Sequence, residues 1–276
     1  MFKSALIVST SIATLVWAGA TQAGPVFLTG HDPDFHAQGS PGAQNLMRTM
    51  LNFVTSGTYA GGTTKFLFVE SEISPPPGHL IGENGLNAIG LVEGVNYDEV
   101  DAAGLAALPN FSGYSAIVVA SDFGGLLTDA EIRELVARKG AIGAFVNAGG
   151  GLAAFAECGV GFPNCIPDLV TPTTPLFGFV PVGVSSAPTT APYMVTPYGA
   201  SLGLTNGDIN DPTHNSFGLT GGLNVVDTDA AGLATSLAGN ISLPVPEPST
   251  WATMLIGCGV LGGALRSRRK RLSIVT

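Results

Sequence analysis

A chain of 276 residues with 45% hydrophobic and only 11% charged side chains can bury a sizeable core, and its formal charge of −9 understates how acidic its central part is. Once Lys3 and the five basic residues of the far C-terminus are set apart, five cations (Arg48, Lys65, Arg133, Arg138 and Lys139) face 19 acids, a net −14 over residues 24–243. A surface of that sign excludes nucleic acid and anionic lipid as partners of the body and favours cations or plain solubility.

The N-terminus reads as a secretory signal peptide over residues 1–23. Lys3 supplies the basic start, residues 5–17 are almost wholly apolar, and Ala18, Ala20 and Ala23 offer small residues for cleavage. Cleavage after Ala23 is preferred, with Ala18-Gly19-Ala20 as the literal small-x-small alternative; an anchor helix is disfavoured because the apolar stretch is short. Residues 24–243 then form one exported domain.

Strand-like and helix-like patterns alternate along that domain. Val26-Phe27-Leu28-Thr29 is an apolar run ending in a loop, and residues 43–54 follow with Leu46, Met50, Phe53 and Val54 on one helical stripe. Residues 65–69 read as a second strand closed by Glu70 and Glu72, and Pro75-Pro76-Pro77-Gly78 as a loop. A short helix over 83–89 and a strand over 96–100 come next. The run Ala116-Ile117-Val118-Val119-Ala120 has the continuous apolar character of a strand buried on both faces, and Thr128-Asp129-Ala130-Glu131 matches a capping box opening a helix. A second helical stretch reaches Asn147, and Gly149-Gly150-Gly151 turns the chain into a strand over 152–156. Strand, helix and strand in succession imply a right-handed parallel crossover. Residues 159–197, rich in Pro, Thr and Gly, read as an elaborated loop or inserted hairpin layer, and residues 223–226 and 234–237 as late strands.

This order of elements resembles the class I glutamine-amidotransferase-like fold over residues 26–237. The resemblance implies an α/β domain with a flavodoxin-like, mostly parallel sheet and helices on both faces. It also places Ala156-Glu157-Cys158-Gly159-Val160-Gly161 where catalytic members carry a cysteine on a sharp turn, although Ala156 and Val160 stand where glycines are expected. Two readings of Cys158 stay open. As a nucleophile it would need a base, for which His214 is the candidate, with Glu157 as a neighbouring acid. As a structural residue in an oxidising compartment it would pair with Cys165, and this disulfide is the favoured reading.

A second constellation lies in two loops. His31, Asp32, Asp34 and His36 follow the first strand, and Asp208, Asp211 and His214 lie late in the body. Ligands of open α/β sheets bind beyond the carboxyl ends of the strands, so these loops are expected to meet at one edge, where carboxylates and imidazoles could bind a divalent cation. Their spacings match no strict metal signature, and the alternative is ordinary Asp-Pro turn chemistry.

The chain ends in three consecutive segments. Residues 244–250 carry Pro246-Glu247-Pro248, residues 251–265 are an uncharged apolar run read as a single transmembrane helix, and residues 266–276 hold Arg266, Arg268, Arg269, Lys270 and Arg271. The basic cluster orients the tail towards the cytoplasm and the body outside the inner membrane. This succession resembles the PEP-CTERM sorting signal. The resemblance implies an exosortase-type sorting protease as partner, anchorage in the inner membrane before processing, and release to the cell surface or exterior, with an exopolysaccharide matrix as a further partner. The expected function is that of an exported envelope or matrix protein whose body is a non-catalytic ligand- or partner-binding domain; the alternative is an exported cysteine- or metal-dependent hydrolase.

Overall fold

The computed structural model describes residues 24–55, 65–71, 82–122, 127–155, 177–210 and 215–241, together with residue 257. In chain order the elements are β1 (Gly24–Thr29), α1 (Pro33–His36), α2 (Pro41–Val54), β2 (Phe66–Val69), α3 (Glu83–Ala88), β3 (Tyr97–Val100), α4 (Ala102–Ala107), β4 (Ala116–Val119), α5 (Asp129–Ala137), α6 (Lys139–Asn147), β5 (Gly151–Ala154), β6 (Val184–Ala187), β7 (Met194–Val195), α7 (Pro197–Ser201), β8 (Ser216–Thr220), β9 (Asn224–Thr228) and β10 (Ala234–Ile241).

Local chemistry explains the longer helices. Ser40 caps α2 by accepting the Ala43 amide at 3.2 Å, Pro41 opens the helix where a missing N–H costs nothing, and Leu46, Met47, Met50, Leu51 and Val54 form its buried stripe. The capping box expected at Thr128 and Glu131 is present. Glu131 does a second job, since its other carboxylate oxygen accepts the Ala102 amide at 3.0 Å and so ties the start of α4 to the start of α5. Arg138, at the end of α5, donates to the Leu105 and Leu108 carbonyls at the far end of α4 and lies over the Phe111 ring.

The strands form one ten-stranded sheet with the order β3-β2-β4-β5-β1-β10-β8-β6, and β9 joins β10 to β7. From β3 to β1 every neighbouring pair is parallel; from β1 onwards every pair is antiparallel. The sheet is therefore mixed rather than mostly parallel. The physical reason lies in the late segment: β8 and β9 are each buried over only two of their five residues, unlike the wholly buried strands of the parallel half, and partly solvated strands suit antiparallel pairing. β1, β2, β4 and β5 are buried throughout.

Two layers cover the parallel half. Phe27, Phe66, Phe68, Val118 and Ala153 point to the side of α1, α2 and α3, while Val26, Leu67, Ile117 and Leu152 point to that of α4, α5 and α6. Crossovers made on the first face run from β1 to β2 to β3, and those on the second run back from β3 to β4 to β5. The reversal of direction with the change of face keeps the crossover hand constant. No helix among the described residues is long and apolar enough to cross a membrane, and residues 251–265, read from sequence as the membrane helix, lie outside them apart from residue 257.

Gly151 starts β5 directly under the end of α2, where a Cβ would stand 2.0 Å from the Val54 carbonyl oxygen. Gly151→Ala is expected to destabilise the protein by about 1–3 kcal/mol through forced separation of helix and strand. Urea denaturation checks this; an unchanged midpoint would show that α2 can ride higher on the sheet at no cost.

Candidate functional site

The reversal of winding between β2 and β4 creates a topological switch point, and the carboxyl ends of these two neighbouring strands part there. Glu70 and Ser71 leave β2 and Ser121 and Asp122 leave β4, all four of them buried. Asp34 of α1 reaches the same place. It is wholly buried, and one of its oxygens accepts the Ser121 amide at 2.8 Å. Burial pushes its carboxyl up to about 6, with the amide bonds only partly opposing that.

Glu70 stands beside two further acids. One oxygen each of Glu70, Glu83 and Glu99 lie within 4.8 Å of one another. The three arrive from different elements: Glu70 from the tip of β2, Glu83 from the first residue of α3, and Glu99 from β3, where it pairs with Phe68. Gly82, just ahead of α3, donates its amide to Glu70 Oε2 at 2.9 Å. Burial, and after it the neighbouring charge of Glu99, pushes the Glu70 carboxyl up to about 10. Tyr97 is buried two residues before Glu99, and burial followed by the charges of Glu83, Glu99, Glu93 and Glu70 holds its phenol well above the ordinary range.

Across β1 the chemistry is different. His31 Nε2 lies 2.7 Å from Asp227 Oδ2, which also accepts the Thr235 hydroxyl at 2.6 Å. The His31 amide donates to Thr29 Oγ1 at 3.0 Å, and Thr29 Oγ1 lies 2.9 Å from Ser236 Oγ. Burial works against an ionised Asp227, yet the His31 imidazole and the Ser236 and Thr235 hydroxyls hold its carboxyl below the usual range. This network joins the parallel half of the sheet to the antiparallel half.

Of the residues singled out by sequence, His31, Asp32, His36 and Asp208 line one small pocket, and His36 Nε2 lies 3.4 Å from Asp32 Oδ1. The Asp208 carboxylate is turned back onto its own loop, accepting the Thr205 amide and hydroxyl at 2.8 Å each. Asp34 points instead to the switch point. Glu157, Cys158, Cys165, Asp211, His214 and the Pro246-Glu247-Pro248 motif lie outside the described residues. The Glu70, Glu83 and Glu99 group escaped the sequence reading, whose only signal was an acid closing the second strand. A larger cavity of about 600 Å³, lined by Thr55, Phe111, Tyr114, Phe145 and Gly150 among others, opens at the amino ends of β4 and β5, the far end of the sheet from these acids.

Comparison with known proteins adds one finding: residues 244–270 match the PEP-CTERM protein-sorting motif. No curated protein and no solved structure matches the chain.

Two expected outcomes test the electrostatics. A carboxyl whose folded pKa is raised binds more protons in the native state than in the unfolded state, so its contribution to stability is complete below the unfolded value and is lost as pH rises through the folded one. For Glu70 that window runs from 4.5 to about 10, and for Asp34 from 3.8 to about 6. In chelator, stability should fall as pH rises through neutrality, with Glu70 contributing a slope of at most about 1.4 kcal/mol per pH unit, and Glu70→Gln should flatten it. Parallel wild-type and variant curves would place the proton elsewhere. Asp227→Asn should cost about 3–5 kcal/mol by breaking a buried pair; a loss under about 1 kcal/mol in chemical denaturation would show that the His31 network holds without its charge.

Proposed function

We propose that the chain is an exported cell-envelope protein, sorted through its C-terminal signal by an exosortase-type protease, whose body over residues 24–243 is a non-catalytic binding domain. The sorting part is supported by the match at residues 244–270, the motif that implies export and membrane anchorage before processing. The observation that carries the binding part is the carboxyl edge of the sheet, where Asp32 and Asp34 after β1, Glu70 at β2, Glu99 on β3 and Asp122 after β4 bring acids from four strand ends. Such an edge suits a cationic ligand, or a cation shared with a hydroxyl-rich polymer such as a matrix polysaccharide. His31 supports the same reading, because at 2% exposure and held against Asp227 it is a structural imidazole rather than an accessible base.

The parallel half also supports the flavodoxin-like, amidotransferase-like reading. Counted from β2, its order β3-β2-β4-β5-β1 becomes the doubly wound 2-1-3-4-5, with the first strand of the chain in fifth place. One feature favours the hydrolase alternative: β5 lies between β4 and β1, so the segment carrying Glu157 and Cys158 departs from the centre of the acidic edge. In the proposed function Cys158 is instead joined to Cys165, while Asn215, the residue after His214 in sequence, donates its amide to the Gly30 carbonyl.

Two measurements test the proposal. Mass spectrometry of the surface or released protein is expected to show loss of residues 251–276, and recovery of the intact tail there would refute sorting by cleavage. Thiol titration of the denatured, unreduced protein is expected to find Cys158 and Cys165 unreactive, with their bridge contributing about 2–3 kcal/mol. A single reactive Cys158 with a depressed pKa would replace the binding reading with the enzymatic one.

A further inference from the structure

We propose that Glu70, Glu83 and Glu99 hold a divalent cation, Ca²⁺ before others, at the carboxyl tips of β2 and β3. The inference rests on the reading of the body as a binding domain and names the ligand class of its edge.

Geometry comes first. The three oxygens lie within 4.8 Å of one another, no farther than two calcium–oxygen bonds of about 2.4 Å laid end to end. The donor set is all carboxylate, hard oxygen without imidazole or thiolate, which suits Ca²⁺ or Mg²⁺ and gives no advantage to zinc or copper. Ca²⁺ tolerates irregular coordination and bidentate carboxylates, whereas Mg²⁺ asks for a near-ideal octahedron of shorter bonds.

Two buried groups beside the cluster point independently to a ligand. Asp34 Oδ1 and the Tyr97 hydroxyl are both fully buried, and neither has a hydrogen-bond partner among the described residues. The Asp34 carboxylate faces Glu70 across Gly82: a Cβ on Gly82 would stand 3.1 Å from Asp34 Oδ2 and 3.0 Å from Glu70 Oε2. Tyr97 shares its strand face with Glu99, two residues on. A cation among the glutamates would supply the positive charge that this packing lacks, and would give the buried oxygens around it a dipole partner directly or through water. The pocket formed by His31, Asp32, His36 and Asp208 is the weaker site, because His31 is engaged by Asp227 and Asp208 by Thr205. An exported protein meets free Ca²⁺ in the range where extracellular modules bind it, with Kd about 10⁻⁴–10⁻³ M.

The experiment is calorimetric titration of Ca²⁺ into the full chain in detergent at neutral pH. Saturable binding of one ion per chain is expected, weakened about tenfold or more in Glu83→Gln and in Glu99→Gln. Both positions are only partly buried, so these variants should keep the wild-type circular dichroism and, with one crowding charge removed, melt no lower than the wild type in chelator. Terbium, used as a luminescent substitute, should be sensitised by Tyr97, and Tyr97→Phe should lose that emission while retaining Ca²⁺ binding. No saturable heat at millimolar Ca²⁺, Mg²⁺ or Mn²⁺ overturns the proposal. So does affinity unchanged in both glutamine variants, which would assign the ion to the diffuse acidic surface, or terbium emission unchanged in Tyr97→Phe. If no ion binds while Cys158 and Cys165 are bridged, the ion alone is wrong and the binding domain stands. A single reactive Cys158 removes the binding reading whatever the titration shows.

Discussion

The insertion of β1 into the middle of the sheet is the constraint on which the rest depends. Gly24–Thr29 pairs in parallel with β5 on one side and antiparallel with β10 on the other, in a six-residue register from Gly24 opposite Ile241 to Thr29 opposite Ser236. Without it the sheet is two fragments, β3-β2-β4-β5 and the β10, β8, β6, β9 and β7 assembly. Both would expose unpaired strand edges and the apolar surface that Val26, Phe27 and Leu28 cover. β1 also leads into His31, Asp32 and Asp34, so the acidic edge exists only when this strand is seated. Its contacts are among the most distant in the chain, with Thr29 and Ser236 separated by 207 residues. Such pairing closes late, after the loop entropy has been lost.

Two kinds of buried acid stand out among the described residues. Glu131 accepts amides of Ala102 and Thr128; Asp229 accepts those of Thr190, Ala231 and Leu233; and Asp227 holds His31 and Thr235. Each of these carboxylates compensates its burial with donors and works as structural cement. Glu70 and Asp34 are different. Both are fully buried, their bonds, among them the Gly82 amide to Glu70 and the Ser121 amide to Asp34, do not offset that burial, and other acids stand near them. Burial raises both carboxyls, in contrast to Asp227. Among the described carboxyls, those that burial raises lie at the switch point, the place where doubly wound sheets receive ligands.

Legibility in the sequence followed burial. The strands covered on both faces, Val26-Phe27-Leu28 and Ala116-Ile117-Val118-Val119, stand out as unbroken apolar runs, and the Thr128–Glu131 box marks a helix start by chemistry that works locally. β6 and β8 are hidden because their Ser, Gly and Thr content resembles loops and because β8 is buried over only two of its five residues. α4, six residues with Gly104 inside, has little intrinsic helicity and is held from outside by Glu131 and Arg138. The loop after β1 could be placed at the sheet edge from topology alone. The glutamate group could not, because Glu70, Glu83 and Glu99 have no common spacing. They converge only because β3 pairs beside β2 and α3 crosses between them, which is knowledge of strand order rather than of sequence pattern.

What lets the three meet is the absence of side chains at Gly82, just before Glu83, and at Gly85, two residues after it. In Gly82-Glu83-Asn84-Gly85, a Cβ on Gly85 would lie 2.1 Å from the Asp34 carbonyl oxygen, and one on Gly82 would enter the space between the Asp34 and Glu70 carboxylates. Neither glycine has the left-handed backbone that would explain its presence conformationally. Both are there for close approach. Gly85 lets α3 settle onto α1, and Gly82 brings its amide within 2.9 Å of Glu70, which leaves a Glu83 oxygen within 4.8 Å of those of Glu70 and Glu99. Two small residues flanking an acid at the start of a short helix therefore encode the site more directly than the acids themselves. Larger side chains there would lift α3 away and relieve the crowding of charge, and an edge serving stability alone would gain by that relief.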